Sequence, residues 1–491
     1  MITLAGKSAG AARHGRERPS RPRARWTPVA AGAVAAGVAV SGSAAPSLSG
    51  DEIATYSAVV RPLSGLWELA QHVDGHFLPY YLLMHFWALF GEAEWWLRLP
   101  SVLAIGVAAG FLADLGRRVY GRRAGLVAAG LFAVLPSVSY HGENARPYAF
   151  AAAAAVISAW ALWRMAEAPT GGRACQYAGA LALLGCTHLF SVLVLAAHVL
   201  AVPWLLPRRV SLTRALPAAV AGCVPVAVLA VVGWGERHAI SWIQPHGPDV
   251  LLKFPKMVTG SEILGGLLAA LAVAGVVLLC RRRPTRPWGL LVGGWLVLPP
   301  LLLLLVSALV TPVYVDRYLF VSAPALALAA GVAVASVPWA ALPVVLVAGL
   351  LGLPTQQDYR RPNGHYDDFP GAVAAIQARA ASGDAILYGQ SRLRTGFGYY
   401  AGGRLPDDVL RAGTGFGPAF EYPERRDVAE ALGGRKRVWI VWRGTRQAGL
   451  TGSKIPRVAA LRAAGFRLSW AWHSAELPGL TVALFTADLP K

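Results

Sequence analysis

The sequence predicts a polytopic α-helical membrane protein that carries a small α/β domain at its C-terminal end. Of the 491 residues, 55% are hydrophobic and only 15% are charged, and the mean hydropathy is +0.47. These values lie outside the usual range of soluble domains. Long apolar runs recur as far as residue 354, and from residue 355 helix-type and strand-type patterns alternate.

The net charge of +20 could indicate a nucleic-acid partner. In a membrane protein, however, Lys and Arg accumulate in cytoplasmic loops, so basic residues report topology. We therefore expect membrane lipids and no nucleic acid as partners. The four cysteines show neither metal-ligand nor disulfide spacing, and we interpret them as small apolar residues.

A membrane-spanning helix needs roughly 20 mostly apolar residues. The run 176–206 is too long for one span, so we divide it near His188. About eleven spans are then predicted, at 27–48, 97–115, 124–140, 147–163, 176–188, 190–206, 215–233, 261–280, 288–310, 319–336 and 338–354.

Residues 1–25 are polar and rich in Arg, which predicts a cytoplasmic basic tail. A cleavable signal peptide is the alternative interpretation, because "SGSAAP" loosely resembles a cleavage site. Pro46 would follow Ala45 at the cut and disfavours cleavage. We therefore expect an uncleaved first helix that runs outward.

The basic clusters test this arrangement of spans. With the N-terminus in the cytoplasm, every cluster falls on the cytoplasmic side only if the apolar stretch 76–90 does not cross the membrane. That stretch is short and contains His76, Pro79 and His85, so we predict a juxtamembrane or re-entrant helix in a first external loop, 49–96. The clusters are Arg13 to Arg25, "GRRVYGRR" (116–123), Arg164 with Arg173, Arg208 with Arg209 and Arg214, and "RRRPTR" (281–286).

The alternation of these spans across the membrane places six segments on the extracytoplasmic side. They are the loop 49–96, the loop that holds Glu143, the turn at His188, the loop 234–260, the stretch "TPVYVDRYLF" and residues 355–491. In 355–491, "DFPGAVAAIQARAASGDAILYGQ" predicts a helix, a turn and a strand. "RKRVWIVWRG" predicts a second strand, and "PRVAALRAAGFRLSWAWH" a helix followed by a strand. We expect a multi-pass protein of the plasma membrane with an extracytoplasmic α/β domain.

Ionisable residues on this face are the candidates for chemistry. Asp51 and Glu52 are adjacent carboxylates just outside the first span, although acidic residues are also favoured at an ordinary helix N-terminus. Glu143 lies beside Arg146, and Arg317 lies near the start of the tenth span, where an ionisable residue suggests function. Arg317 could instead anchor the helix at the interface or pair with Asp316. The histidines 72, 76, 85 and 188 have no metal-motif spacing.

Together these motifs resemble the GT-C glycosyltransferases, in particular the branch of protein O-mannosyltransferases and aminoarabinose transferases. The resemblance covers about residues 26–330 and includes a bacterial family-39-like mannosyltransferase pattern. One extra residue, Asn144, separates Glu143 from "ARPY". The motifs are "DEIATY", "HFLPYYLLMHFWALFGEAEWWLRLPSVLA", "GRRAGLVAAGLFAVLPSVSYHGENARPYAF" and "DRYLFVSAPALAL".

The resemblance implies a GT-C catalytic domain at 26–354 that takes a sugar, expected to be mannose, from a polyprenyl-phosphate donor. The acceptor would be a glycan, glycolipid or protein. Asp51 would be the general base of an inverting reaction, with Glu52 and Glu143 as orienting carboxylates. Arg146 and Arg317 would bind the donor phosphate. The expected substrate-lining residues are His76, Tyr80, Tyr148, His188 and Tyr318.

No metal ligand is assigned, and a divalent cation, Mg²⁺ or Mn²⁺, stays open because the family is mixed in metal use. Two other classes compete with the enzyme. A transporter or flippase of a lipid-linked substrate would share the hydrophobicity, but inverted repeats are absent from the sequence and the charges cluster at one face. A scaffold with a binding domain would leave the carboxylate loops unexplained.

Overall fold

Apolar helices follow one another from residue 27 to residue 359. The computed structural model describes residues 26–450, 455–475 and 478–487, and the predicted basic tail 1–25 lies outside them. The helices of this part are α1 Thr27–Val40, α2 Gly50–Val59, α3 Leu63–His72, α4 Leu78–Ala88, α5 Glu94–Val119, α6 Arg122–Ala133, α7 Pro136–Gly142, α8 Tyr148–Glu167, α9 Gly171–Thr187, α10 Leu195–Leu205, α11 Arg208–Val210, α12 Leu216–Gly235, α13 Phe254–Thr259, α14 Glu262–Arg281, α15 Arg286–Leu309, α16 Asp316–Leu319, α17 Ala323–Ala335 and α18 Ala341–Tyr359. A π-helical turn joins α11 to α12, and short 3-10 turns precede α4, α10, α13, α17 and α18.

Seven helices in the described residues are long and apolar enough to cross a membrane, and α6 with α7 makes an eighth candidate bent by 66°. The bend has a local cause, because Pro136 begins α7 and keeps Leu135 extended. All eleven predicted spans coincide with helices, but α1, α9 and α10 have only 14, 17 and 11 residues. A multi-pass helical protein is therefore confirmed, while the number eleven stays a prediction.

The predicted division of 176–206 is present, because α9 ends at Thr187 and His188 adopts an extended backbone. The first loop holds three short helices, α2, α3 and α4. The predicted juxtamembrane stretch corresponds to α4, whose 11 residues are too few to span a bilayer.

Small residues let the apolar helices approach one another closely. Gly32 of α1 lies against Gly106 and Gly110 of α5, and a Cβ atom on Gly32 would lie 2.6 Å from the Gly106 carbonyl oxygen. Gly331 of α17 approaches Ala128 of α6 in the same way. Such contacts replace the hydrophobic driving force that is missing between helices in lipid.

The C-terminal part is a five-stranded sheet with order β2-β1-β3-β5-β4, where β1 is parallel to β2 and β3, and β5 is antiparallel to β3 and β4. The three sequence stretches predicted to form helices and strands do so. The elements are α19 Phe369–Gln377, β1 Ala385–Tyr388, α20 Leu393–Ala401, β2 Asp407–Asp408, α21 Val428–Ala431, β3 Arg437–Arg443, α22 Arg446–Leu450, α23 Pro456–Ala463, β4 Phe466–His473 and β5 Leu480–Ala487.

One face of this sheet packs on the helices of the first loop. Ile53 of α2, Tyr81 of α4, Phe369 of α19 and Trp439 of β3 are buried in the same hydrophobic cluster. The sheet therefore covers the segment in which the sequence placed its first two candidate carboxylates.

Candidate active site

The first turn of α2 carries Asp51 and Glu52. Ser49 caps this helix, because its hydroxyl accepts a hydrogen bond from the Glu52 backbone amide. The Glu52 carboxylate in turn accepts a hydrogen bond from the Ser49 backbone amide at 3.0 Å. This reciprocal capping box fixes the start of the helix. Asp51 follows one residue after Gly50, and its side chain is 46% exposed, so its carboxylate faces open space.

Glu52 is fully buried. Arg98 of α5 binds both of its carboxylate oxygens at 2.8 and 2.9 Å. The Ala145 amide and the His365 imidazole add further contacts at 2.9 and 3.3 Å. Burial alone would raise the pKa of Glu52, but the Arg98 charge and these hydrogen bonds outweigh it and hold the pKa below its usual value.

Arg98 was missed as a site residue in the sequence, although it lies in the predicted span 97–115. It is fully buried and also donates to the carbonyl oxygens of Ser43, Pro46 and Ser47 at 2.7 to 3.1 Å. An arginine in an apolar helix was the signal that could have found it. Arg98 fixes the chain before α2.

Arginines surround Asp51. Arg317 Nη1 lies 3.6 Å from Asp51 Oδ2, and Arg146 Nη1 donates to the Asp51 backbone carbonyl at 3.4 Å. Partial desolvation by the surrounding residues would raise the pKa of Asp51, but the charges of Arg146, Arg317 and Arg443 hold it below its usual value. Asp51 is therefore a carboxylate at neutral pH.

Arg146 reaches this site from the loop between α7 and α8. Its Nη1 donates to the Tyr81 and Thr55 hydroxyls at 3.3 and 3.4 Å, and its guanidinium lies over the Phe77 ring. Tyr81 in turn donates to Asp74 at 2.7 Å. The buried Nε atoms of Arg146 and Arg317 have no hydrogen-bond partner among the described residues. Both arginines thus keep one buried donor that no described residue satisfies beside Asp51.

Glu143 pairs with a different arginine from the one that pairs with Asp51. It is fully buried, and its Oε1 accepts from Arg360 Nε at 2.8 Å. Arg360 also donates to the Val38 carbonyl at 2.8 Å, so it ties the end of α18 to α1. Burial raises the pKa of Glu143 to about 7 despite the Arg360 charge.

The predicted lining residues divide into two groups. His188 packs against Tyr318 and Tyr148, with ring centroids 4.7 and 5.5 Å apart. Tyr318 follows Arg317 directly, so this group forms an aromatic wall beside the arginine. His76 instead pairs with Glu236 at 3.0 Å, and Tyr80 is buried with its ring edge on Phe150.

Among the described residues, no three His, Cys, Asp or Glu side chains lie together in an arrangement that could hold a metal ion. The donor set explains this, because both Glu52 oxygens already bind Arg98 and Glu143 pairs with Arg360. The carboxylates around Asp51 do not by themselves form a divalent-cation site.

The chain has the fold of a multi-pass helical membrane protein, and its site places one exposed carboxylate beside two arginines. Residues 74–234, about a third of the chain, match the family described as dolichyl-phosphate-mannose-protein mannosyltransferase. The resemblance to GT-C glycosyltransferases is therefore confirmed, including the aminoarabinose transferase branch represented among the structures below. A search of curated proteins by sequence returned no significant match.

Solved structures share the fold at low sequence identity. The apo structure of ArnT from Cupriavidus metallidurans has a TM-score of 0.58 and 17% identity, covering 94% of this chain and 98% of that one. ArnT bound to undecaprenyl phosphate has a TM-score of 0.57 and 15% identity, covering 96% and 100%. The oligosaccharyltransferase of Archaeoglobus fulgidus, with Zn and sulfate, has a TM-score of 0.50 and 13% identity, covering 92% and 73%.

Proposed function

We propose that this protein transfers a sugar from a polyprenyl-phosphate donor to an acceptor hydroxyl at the extracytoplasmic face of the plasma membrane. The observation that carries the proposal is the pairing of an accessible carboxylate, Asp51, with two arginines that keep unused donors, Arg146 and Arg317. Transfer from a lipid phosphate requires both a base for the acceptor and cations for the leaving group.

In this proposal Asp51 is the general base. The acceptor oxygen attacks the anomeric carbon while its proton passes to the Asp51 carboxylate, and the bond between the anomeric carbon and the phosphate oxygen breaks. The single displacement inverts the configuration. A carboxylate whose pKa is lowered is a weak base for a free hydroxyl, but it can accept the proton as the new bond forms. The same charge stabilises the oxocarbenium-like carbon.

Arg317 and Arg146 bind the leaving phosphate. Arg317 is only loosely paired with Asp51 at 3.6 Å, so its guanidinium can turn to phosphate oxygens, which guanidinium groups bind in a bidentate manner. Tyr81 and Asp74 hold Arg146 in place. Glu52 and Glu143 act as positioning residues, because the arginines that they bind, Arg98 and Arg360, fix the chain around the site.

The comparisons support the donor and the sugar of this proposal. ArnT was solved bound to undecaprenyl phosphate, which supports a polyprenyl-phosphate carrier for a chain of the same fold. The family match names a mannosyltransferase, which supports mannose. The Tyr148, His188 and Tyr318 wall would pack against the sugar or the first isoprene units, and the acceptor would be a glycan, glycolipid or protein.

The test is transfer from labelled polyprenyl-phosphate mannose by membranes that contain the full chain. We expect Asp51→Asn to reduce transfer at least about 1,000-fold, as loss of a general base together with charge stabilisation predicts. Asp249→Asn, an exposed carboxylate in the 234–260 loop, is the matched control and should keep wild-type activity. Full activity of the Asp51 variant would remove Asp51 as base. Absence of transfer from mannose, arabinose and aminoarabinose donors alike would leave the transporter or scaffold interpretation.

A further inference from the structure

The first turn of α2 is bound by a residue pair from the C-terminal part of the chain. The Gly50 amide donates to Asp367 Oδ2 at 2.6 Å, and Arg443 Nη2 donates to the same oxygen at 3.0 Å. The Asp367 side chain is 1% exposed. Gly50 immediately precedes the proposed base, Asp51.

Neighbouring contacts clamp the residues before α2 in the same way. Ser47 donates its amide to the Pro362 carbonyl and its hydroxyl to the Asp367 carbonyl, both at 2.8 Å. The Leu48 amide donates to the Tyr400 hydroxyl at 2.7 Å. The segment that joins α18 to the sheet and Tyr400 of α20 therefore hold the residues that precede Asp51.

Gly50 is the residue type that this arrangement requires. A Cβ atom there would lie 2.7 Å from Arg443 Nη1 and 3.1 Å from Asp367 Oδ2. A side chain at position 50 would displace the guanidinium. The anionic Asp367 also lies at the N-terminus of α2, where the helix dipole favours negative charge.

The charges that act on Asp51 come from both parts of the chain. Arg146, Arg317 and Arg443 favour its ionised form, and Glu52 opposes it. The tyrosines Tyr140, Tyr148 and Tyr318 also interact with Asp51, and Asp367 does so with the opposite sign to Arg443. Arg443 is the cation that β3 contributes.

We infer that the C-terminal domain is part of the catalytic machinery, because Asp367 and Arg443 position the first turn of α2 and thereby the Asp51 carboxylate. The inference rests on the proposed function for its catalytic meaning. Neither residue is a catalytic residue, since both act through Gly50 and Asp51. Polar contacts that hold a reacting group matter because misplacement by about 1 Å can cost about 100-fold in rate.

The chain offers a matched control in the same sheet. Asp384 and Arg437 form a pair at 2.8 Å, with side-chain exposures of 1% and 34%, against 1% and 35% for Asp367 and Arg443. This control pair lies at the opposite end of β3 from Arg443. Arg437→Gln and Asp384→Asn should therefore report only the cost of breaking a buried pair in this domain.

The first experiment needs no substrate. Hydrogen exchange of the full chain in nanodiscs should show the peptide around residues 48–56 exchanging at least about tenfold faster in Arg443→Gln and Asp367→Asn, because each variant breaks the ion pair that holds the acceptor of the Gly50 amide in place. Arg437→Gln should leave this peptide unchanged. Equal exchange of this peptide in all variants would overturn the inference, whether or not the protein has the proposed activity.

The second experiment uses labelled polyprenyl-phosphate mannose and the pH dependence of kcat. Both Arg443→Gln and Asp367→Asn should lower kcat about tenfold or more, with the KM for the donor within about twofold. Arg443→Gln removes a cation and should move the acidic limb of the pH profile of kcat to higher pH by roughly half a unit or more. Asp367→Asn removes an anion and should move the same limb to lower pH. The Arg437→Gln control should change neither kcat nor the position of the acidic limb.

A purely structural pair would lower the amount of folded protein without opposite shifts of the pH profile, and that result would contradict the inference. Asp51→Asn in the same assay separates the two proposals. Retained activity of Asp51→Asn refutes the base assignment, whereas an inactive Asp51→Asn beside an Arg443→Gln that matches Arg437→Gln refutes only the role of the C-terminal domain.

Discussion

Replacing Arg98 with Met gives the sharpest test of how the site is held together. Arg98 and Glu52 are both fully buried and share two hydrogen bonds. Removing one partner of a buried ion pair costs about 3–5 kcal/mol, because the other charge stays in the interior. The substitution also strands three backbone carbonyls, each at about 1–3 kcal/mol if no other donor replaces Arg98. We expect a total loss of about 5 kcal/mol or more.

The assay is heat denaturation of the full chain in nanodiscs, followed by size-exclusion chromatography. Arg98→Met should lower the apparent melting temperature more than Arg173→Met does. Adding Glu52→Gln to Arg98→Met should recover part of the loss, because no charge is then left unpaired. Arg173→Met is the control, since Arg173 pairs with a half-exposed Glu167 and such pairs contribute about 0–1 kcal/mol.

The wild type and Arg98→Met should differ in how their stability changes with pH. In the wild type the pKa of Glu52 is lowered, so the pair stabilises the fold above the ordinary pKa of a glutamate, and the gain is lost only as the pH falls toward the folded-state value. In Arg98→Met the unpaired Glu52 has a raised pKa instead, so the variant should become less stable as the pH rises. An Arg98→Met protein as stable as Arg173→Met, or one stabilised by rising pH, would refute the reasoning.

Three further predictions concern the surrounding residues. Glu143 has a pKa raised to about 7, so its contribution to the free energy of unfolding is present at low pH and is lost as the pH rises from about 4.5 through 7. Glu143→Gln should abolish this pH dependence of stability in melting curves at about pH 5 and about pH 8. Arg146→Lys should lower transfer at least about tenfold, since one ammonium cannot replace the planar fork, whereas Tyr81→Phe should lower it less; kinetics with labelled donor measure both. Gly50→Ala should displace Arg443 and lower kcat, with a melting temperature close to that of the wild type.

The helices were predictable because their cause is local. About 20 apolar residues in sequence suffice to form a span, and the break at His188 follows from the excess length of 176–206. The bend at Pro136 and the helix α2 were also readable, since Ser49 and Glu52 have capping-box spacing.

The partners of the candidate site were not predictable in the same way. Glu143 and Arg360 are separated by 217 residues, and Asp367 binds the Gly50 amide across 317 residues. A local pattern contains no information on which cation will face which carboxylate at such distances. The sequence could therefore propose Asp51, Glu143, Arg146 and Arg317 as charged groups on one face, but not their pairing.

Pairing is what gives the carboxylates different tasks. Asp51, Glu52, Glu143 and Asp367 would be chemically similar in water, yet three are fully or almost fully buried and bound to their own arginines. These three carboxylates are closed off from an incoming acceptor hydroxyl, because the surrounding side chains bury them. Asp51 differs because its side chain is 46% exposed and its closest cation lies at 3.6 Å. The three buried pairs hold the chain segments around this carboxylate in place, so that the one accessible carboxylate of the four is presented between Arg146 and Arg317.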